Sequence, residues 1–478
     1  MKLSYLKFST TAFLCICGTT LVSAQQLTDQ SGINLNDFSS FKDPGKSWSL
    51  ANSVTANPNI EGELNAMAGS GILVNKPGKK NQGADLFTIA QHGNMILELD
   101  YLIAKGANSG IYLQGNYEIQ LNDSWGNIRS FSSDNGGIYE RWDDSKPDGY
   151  KGFGGYAPRQ NASKAPGLWQ HLKIAFQAPQ FDAAGNKVAN ARILTTELNG
   201  VLIHDNVELF GPTRGASGKE RELGPLRLQG DHGAVAFRNI KITKLPSDQL
   251  NGGKKNDRDA DPIYIEAPTN TMIRSFVDFA PKQRAVHAIS VGSAQQVYYS
   301  YDLDNGLLLQ GWHGEFVDAT PMWDGRGNGT SKARGVITQF IAKQIPAVAQ
   351  LSNPHAAWPV DSTGTGFRTK GYVMDDNDRP EFKYNIYGSQ VTDAIKALDN
   401  GKGLSRTITI DKQVPALYVL LANATAIQEL AKGFYLIDGQ AYYLELDEVA
   451  DKPIIRDVEG RKELIILLGS KLKYYISF

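Results

Sequence analysis

The chain has 478 residues, more than one typical domain holds, so two or three domains are expected. Its 49 Lys and Arg nearly balance 50 Asp and Glu, for a formal charge of −1. That balance excludes the basic footprint of a nucleic-acid binder and the polybasic patch that holds a protein to anionic lipid.

In chain order, the first element is a leader. Lys2 and Lys7 precede an apolar run from about Ala12 to Val22, and the small-residue site Val22-Ser23-Ala24 follows before Gln25. This is the layout of a cleaved secretory signal peptide over residues 1–24. The run is interrupted by Gly and Thr and falls short of the ~20 residues a spanning helix needs. No transmembrane span is therefore expected in the mature chain, which is placed in the periplasm or outside the cell. Cys15 and Cys17 both lie in the leader, so cleavage leaves no thiol. Disulfides, thiolate nucleophiles and Cys-ligated metals go with it. Loss of the two lysines moves the formal charge to −3.

Short β-like runs then recur at Met95–Leu102, Ile111–Leu121, Trp169–Phe176, Ile193–Leu198, Val201–Val207 and Val235–Ile242. Between the fourth and fifth, Asn199-Gly200 is a strong hairpin signal. Many short strands punctuated by Gly, Pro and Asn predict a sandwich or jelly roll over residues 25–246. Within it, Ile111, Leu113, Tyr117, Ile119 and Leu121 share one parity, and Tyr112, Glu118, Gln120 and Asn122 the other. This period of two is that of half-buried strands. Pairing the halves with Leu113, Tyr117 and Ile119 on one face requires an odd loop, Gln114-Gly115-Asn116, with Gly115 or Asn116 at positive φ. A slip by one residue would bury Glu118 and Gln120 unpaired, at a cost of roughly a few kcal/mol each, so the register is expected to be firm.

Further along, Leu226 and Leu228 alternate with Arg227 and Gln229, and Gly230 and Gly233 bracket Asp231 and His232 on a tight connection. Val235 and Phe237 share a parity that Ile240 and Ile242 do not, which predicts a β-bulge near Arg238 and Asn239. The bulge either turns Arg238 toward a ligand or merely bends an edge. By contrast, Asp134 to Pro166 is long, aromatic and without periodicity, as ordered functional loops often are. Trp142, Tyr150, Phe153 and Tyr156 there either stack on sugar rings or pack the loop down.

Asp248 to Asp259 is polar and Gly-containing and reads as part of a linker over 247–261. Beyond it, Gln296–Leu303 and Leu307–Trp312 flank Asp304-Asn305-Gly306, and Phe434–Ile437 and Ala441–Leu446 flank Asp438-Gly439-Gln440, both hairpin patterns. Leu464–Leu468 and Leu472–Phe478 look like a final pair. Ser331 to Leu351 is the one stretch with a helical pattern. A second β-sandwich-like domain over 262–478 is predicted, so the chain is expected to be all-β. Asp324 and Asn328 sit in a Gly-rich segment without the regular oxygen spacing of a calcium loop, and a structural turn is preferred.

Several words, in order, resemble the 3-keto-disaccharide hydrolase domain family, whose fold is a concanavalin A-like jelly roll. They are Asn108-Ser109-Gly110-Ile111, Tyr117-Glu118-Ile119-Gln120, Asp123-Ser124, Gly137-Ile138-Tyr139, Leu198-Asn199-Gly200-Val201 and the run from Leu228 to Ile242. The resemblance covers about residues 34–245. Gln114 stands where many relatives carry Arg, and the usual Gln-Asp-His-Gly word is lengthened to Gln229-Gly230-Asp231-His232-Gly233.

What the resemblance implies is cleavage of glycosides already oxidised at C3. The ketone acidifies the C2 proton, so a base forms an enolate that expels the C1 substituent, and water then adds to the enone. Each acid or base role is worth roughly 10²–10⁴-fold. His232 or Glu118 is expected as the base, with the other or Asp123 as the proton donor. Gln120, Gln229 and Arg238 would bind hydroxyls and the developing oxyanion, while Tyr112, Trp125 and Tyr139 would complete the substrate surface. No cofactor is expected. A divalent ion between His232, Glu118 and Asp123 is the alternative means of polarising the C3 carbonyl. The partners implied are a carbohydrate and a sugar 3-dehydrogenase that supplies it. The competing reading is a lectin-like protein that binds sugar without turning it over.

Overall fold

The computed structural model describes residues 30–246, 261–324, 327–447 and 452–478. The leader, both cysteines and residues 247–260 of the expected linker lie outside the described residues.

The first half is built from two facing antiparallel sheets. One has eight strands, in the order Val201–Leu209, Ala191–Leu198, Gln170–Gln177, Met95–Ile103, Val235–Lys244, Asn65–Asn75 and Trp48–Thr55, with Gln30–Gly32 added beside Val235–Lys244. The other has five, in the order Phe41–Lys42, Leu86–His92, Gly224–Leu228, Asn108–Leu113 and Tyr117–Asn122. Leu97, Leu99 and Tyr101 from the larger sheet and Ile111, Leu113, Tyr117, Ile119, Leu226 and Leu228 from the smaller belong to one apolar core. That core holds the smaller sheet in register, because a one-residue slip would trade these side chains for the polar ones on its other face.

The central hairpin has the expected loop. Leu113 pairs Tyr117, Tyr112 pairs Glu118 and Ile111 pairs Ile119, leaving Gln114-Gly115-Asn116 as the turn. Positive φ falls on Gln114 and Gly115, not Asn116. The reason lies behind the turn, where the Gln114 N–H donates to His92 Nε2 at 3.1 Å and its side-chain amide donates to Glu222 O at 2.7 Å. Asn199 and Gly200 take positive φ between their strands, as the I′ turn requires. A register shift between Arg238 and Lys241, with Asn239 at φ 53°, is the expected bulge.

Among its described residues the second half is also β, apart from the short helix Thr320–Trp323. Its six-, four- and eight-stranded sheets share one apolar core. The two Asp-Gly and Asn-Gly hairpins form as expected. Two other expectations fail. Ser331 to Leu351 is not helical but carries the strands Lys332–Gln339 and Val348–Gln350, because Val336 packs into the first-half core and Val348 into the second. The strands Arg461–Leu467 and Lys471–Ser477 do not pair with each other. The first lies between Leu417–Ala424 and Ile454–Val458, and the second between Leu404–Ile410 and Tyr442–Leu446. A short connection there crosses between sheets, which apolar pattern alone does not distinguish from a hairpin. Among the described residues no helix is long and apolar enough to cross a membrane.

The halves meet along an apolar seam. Trp125, Ala165 and Leu168 pack with Phe434, Leu436 and Tyr443. Around it, Trp125 Nε1 donates to Phe478 O at 2.8 Å, Tyr443 OH donates to Pro166 O at 3.0 Å, and Gln440 Nε2 donates to Val54 O at 2.7 Å.

Candidate active site

Antiparallel pairing sets one line of side chains across the outer face of the five-stranded sheet. Phe87 pairs Arg227, Arg227 pairs Tyr112, and Tyr112 pairs Glu118. Outside Glu118, the start of the long aromatic segment continues the sheet, with Ile138 bridging Ile119 and the Tyr139 N–H donating to Glu118 O at 3.1 Å. Tyr139 thus takes the next place in the line. A second line lies beside it, where the Gln229 N–H donates to Gly110 O at 2.9 Å, Gly110 pairs Gln120, and the Gln120 backbone bonds to Gly136 and Gly137.

This outer face is buried too, which the alternation did not foretell. Glu118 is 2% exposed and Tyr112 is equally hidden. The segment around Thr213 to Glu222 folds over the hairpin end. Thr213 Oγ1 accepts from the Glu118 N–H at 3.0 Å, the Asn116 side chain donates to Lys219 O at 3.1 Å, and Tyr117 OH donates to Glu220 at 2.6 Å.

Burial pushes the Glu118 carboxyl up to about 7. Opposing that, the Tyr112 hydroxyl within hydrogen-bonding reach and the nearby Arg227 guanidinium favour its charged form, while Asp85 and Asp231 disfavour it. Burial also drives the Tyr112 phenol upward, so it stays protonated at every ordinary pH. Arg227 lies over the Tyr112 ring at 4.0 Å, donates to Gly215 O at 2.5 Å and pairs with Asp85 at 2.6 Å. Its Nε is buried without a partner. So too are the amide oxygens of Gln120, Gln229 and Asn108. Buried polar atoms left open in this way carry a free-energy cost that a ligand's hydroxyl groups would relieve. Gly110 supplies the room, since a Cβ there would lie 2.2 Å from Glu118 Oε1.

The connection after Gly224–Leu228 brings Asp231 and His232 to the rim. His232 Nδ1 lies 2.5 Å from Asp231 Oδ1, and both side chains are about half exposed. The connection is clamped by Gly230, whose N–H donates to Asp85 Oδ1 at 3.0 Å and whose Cα packs against the Ala84 backbone too closely for any side chain.

Of the residues singled out in the sequence, Glu118, Tyr112, Gln120, Gln229 and Tyr139 are brought together, with His232 at the edge. Three lie elsewhere. Asp123 accepts backbone N–H bonds from Gly106 and Trp125 and so closes a turn. Trp125 is in the seam between the halves. Arg238 is on the eight-stranded sheet, paired with Asp100 at 3.2 Å and lying over Trp169 at 4.0 Å. The bulge has aimed it at a carboxylate of its own sheet and at a ring just before the strand Gln170–Gln177. Among the described residues His232, Glu118 and Asp123 do not gather into a metal-binding cluster. Of the loop aromatics, Trp142 is covered by Arg214 at 3.8 Å, Phe153 by Lys146 at 3.5 Å, and Tyr156 donates to Glu208 O, whereas Tyr150 is open.

Arg227 and Asp85 were not anticipated. Arg227 reads as one polar member of an alternating strand, and its pairing with Asp85 spans 142 positions that no local pattern connects.

Residues 27–243 match the family model of a 3-keto-alpha-glucoside-1,2-lyase-like domain. Among solved structures, a provisionally named glycosyl hydrolase from Parabacteroides distasonis ATCC 8503 is 24% identical over 46% of this chain and 84% of that one, with a TM-score of 0.32. A second such protein from the same organism is 21% identical over 42% of this chain and 100% of that one, with a TM-score of 0.25. The carbohydrate binding module CBM66 from Bacillus subtilis is 12% identical over 42% and 97%, with a TM-score of 0.22. No curated protein matches the chain.

Proposed function

We propose that the protein cleaves glycosides carrying a ketone at C3, a reading supported by the match of residues 27–243 to the model of a 3-keto-alpha-glucoside-1,2-lyase-like domain. The observation that carries this reading is Glu118, a buried carboxyl poised at about 7 beside a phenol and a guanidinium. A general base works best when its pKa lies near the operating pH, and burial achieves that here. Glu118 takes the C2 proton. The negative charge that builds on the C3 oxygen is met by the Arg227 guanidinium and by amide groups of Gln120 and Gln229, whose backbones the sheet holds in place. Loss of the C1 substituent then gives an enone, and addition of water completes a net hydrolysis. Tyr139 bounds the site on one side and the His232–Asp231 pair on the other.

The division into a sugar-active domain at 25–246 and a separate β-rich domain at 262–478 is part of the same proposal, as is export through the leader. Oxidation at C3 by a sugar 3-dehydrogenase is the reaction class that would supply the substrate.

The test is to mix the protein with a 3-keto-disaccharide and with its unoxidised parent, following enone absorbance and release of reducing sugar. Turnover of the keto sugar alone, abolished in Glu118→Gln, is the expected result. Binding of the keto sugar without turnover would place the chain among carbohydrate-binding proteins instead.

A further inference from the structure

Departure of a sugar alkoxide from C1 needs a proton, and neither group first considered as donor fits well: Asp123 is committed to backbone N–H bonds and His232 sits at the open rim. We infer that Tyr112 is the general acid, that it protonates the leaving oxygen, and that it recovers its proton from Glu118. The inference rests on the reaction proposed above.

Three features carry it. Tyr112 and Glu118 are direct register partners on adjacent strands, so their side chains rise together from the same face. The hydroxyl has room beside Glu118, its register partner: it donates to Arg214 O at 3.3 Å, and next to it lies Gly215, where an added Cβ would meet the hydroxyl at 3.0 Å. Arg227 lies over the ring at 4.0 Å, where its charge stabilises a phenolate.

The charges also order the two transfers. Before reaction burial holds the proton on Tyr112 and the charge of the Glu118 carboxylate adds to that, while Arg227 acts the other way. When Glu118 takes the C2 proton it becomes neutral, and its charge no longer holds the proton on Tyr112. Arg227 remains. Removal of the C2 proton thus readies the acid that the next step needs.

The balance closes without any oxidant or reductant. The C2–H bond breaks, its proton goes to Glu118, and its electron pair forms a C2–C3 double bond as the carbonyl pair moves onto the C3 oxygen. That oxygen pair then restores the ketone, the C2–C3 pair becomes C1–C2, and the C1–O bond breaks with its electrons on the leaving oxygen, which takes the Tyr112 proton. The resulting phenolate takes the proton held by Glu118, and both side chains end as they began.

The experiment compares two substrates in wild-type protein and Tyr112→Phe: a 3-keto-disaccharide, whose leaving alkoxide needs a proton, and a nitrophenyl 3-keto-glucoside, whose leaving phenolate does not. The phenylalanine variant is expected to lose about 10²-fold in kcat on the disaccharide, the low end of the usual range for an acid, and at least tenfold less on the nitrophenyl glycoside. Across a series of substituted phenyl 3-keto-glucosides, its rates are expected to depend more steeply on leaving-group acidity than wild type. Equal losses on both substrates, or no loss on either, would overturn the assignment. Wild-type protein supplies an independent reading, because a steep leaving-group dependence in it would overturn the assignment even if the variant does not fold. If wild type turns over neither substrate, the parent reaction fails and Tyr112 with it.

Discussion

At the scale of single residues, burial governs how Glu118 behaves. Its folded-state value, about 7, lies above that of an exposed glutamate. The native state therefore binds a proton that the unfolded chain has already lost between about pH 4.5 and 7, and stability falls as pH rises through that window. The total is about 3 kcal/mol. Activity runs the other way, since only the carboxylate removes a proton. In a pH series, kcat/KM should rise about tenfold per unit below 7 and level off above it, while the melting temperature falls over the same range. Glu118→Gln should lose 10²-fold or more in kcat and should melt higher than wild type at pH 8 but not at pH 4. A melting curve whose pH dependence is the same in both proteins would contradict the burial argument. Gly110→Ala tests the neighbouring space: displaced Glu118 should cost at least tenfold in kcat, with KM less affected, read in the same assay.

Among elements, how much could be read from the sequence depended on where the determining contacts lie. The central hairpin was legible down to its three-residue loop because alternation and loop parity are local. Its positive φ at Gln114 was not, since His92 and Glu222, which hold that residue, are far away in sequence. The same holds for the site. Glu118, Tyr112 and Gln120 share a parity and so could be grouped, and family words added Gln229 and Tyr139. Asp85 and Arg227 come together only when two more strands are laid down. Arg238 and Trp125 were drawn into the candidate list because a bulge and an aromatic near a motif look the same whichever sheet they face. The Asn199-Gly200 turn gives a control at this scale. Gly200→Val, which places a β-branched side chain at φ 81°, should lower stability by about 1–2 kcal/mol in denaturant unfolding and leave the midpoint of the pH–rate profile unchanged. A moved midpoint would mean that the larger sheet's turn reaches the Glu118 environment.

For the whole molecule, the seam around Trp125 decides whether the halves behave as one body. It joins aromatic and aliphatic side chains from both halves and is bordered by hydrogen bonds to backbone carbonyls. Trp125→Ala removes its largest first-half member and should cost about 3–5 kcal/mol, splitting a single thermal transition into two in calorimetry. The Trp125 to Phe478 bond also spans 353 positions of chain. Contacts so distant form late, after loop-closure entropy has been overcome, so refolding should be slow and each half should fold before the seam closes. During that interval the apolar side chains of Phe434, Leu436 and Tyr443 stand uncovered, and molecules that meet then stick to each other through them. Yield on dilution from denaturant should therefore drop as protein concentration rises, with time and crowding, more than equilibrium stability, limiting how much native protein is recovered.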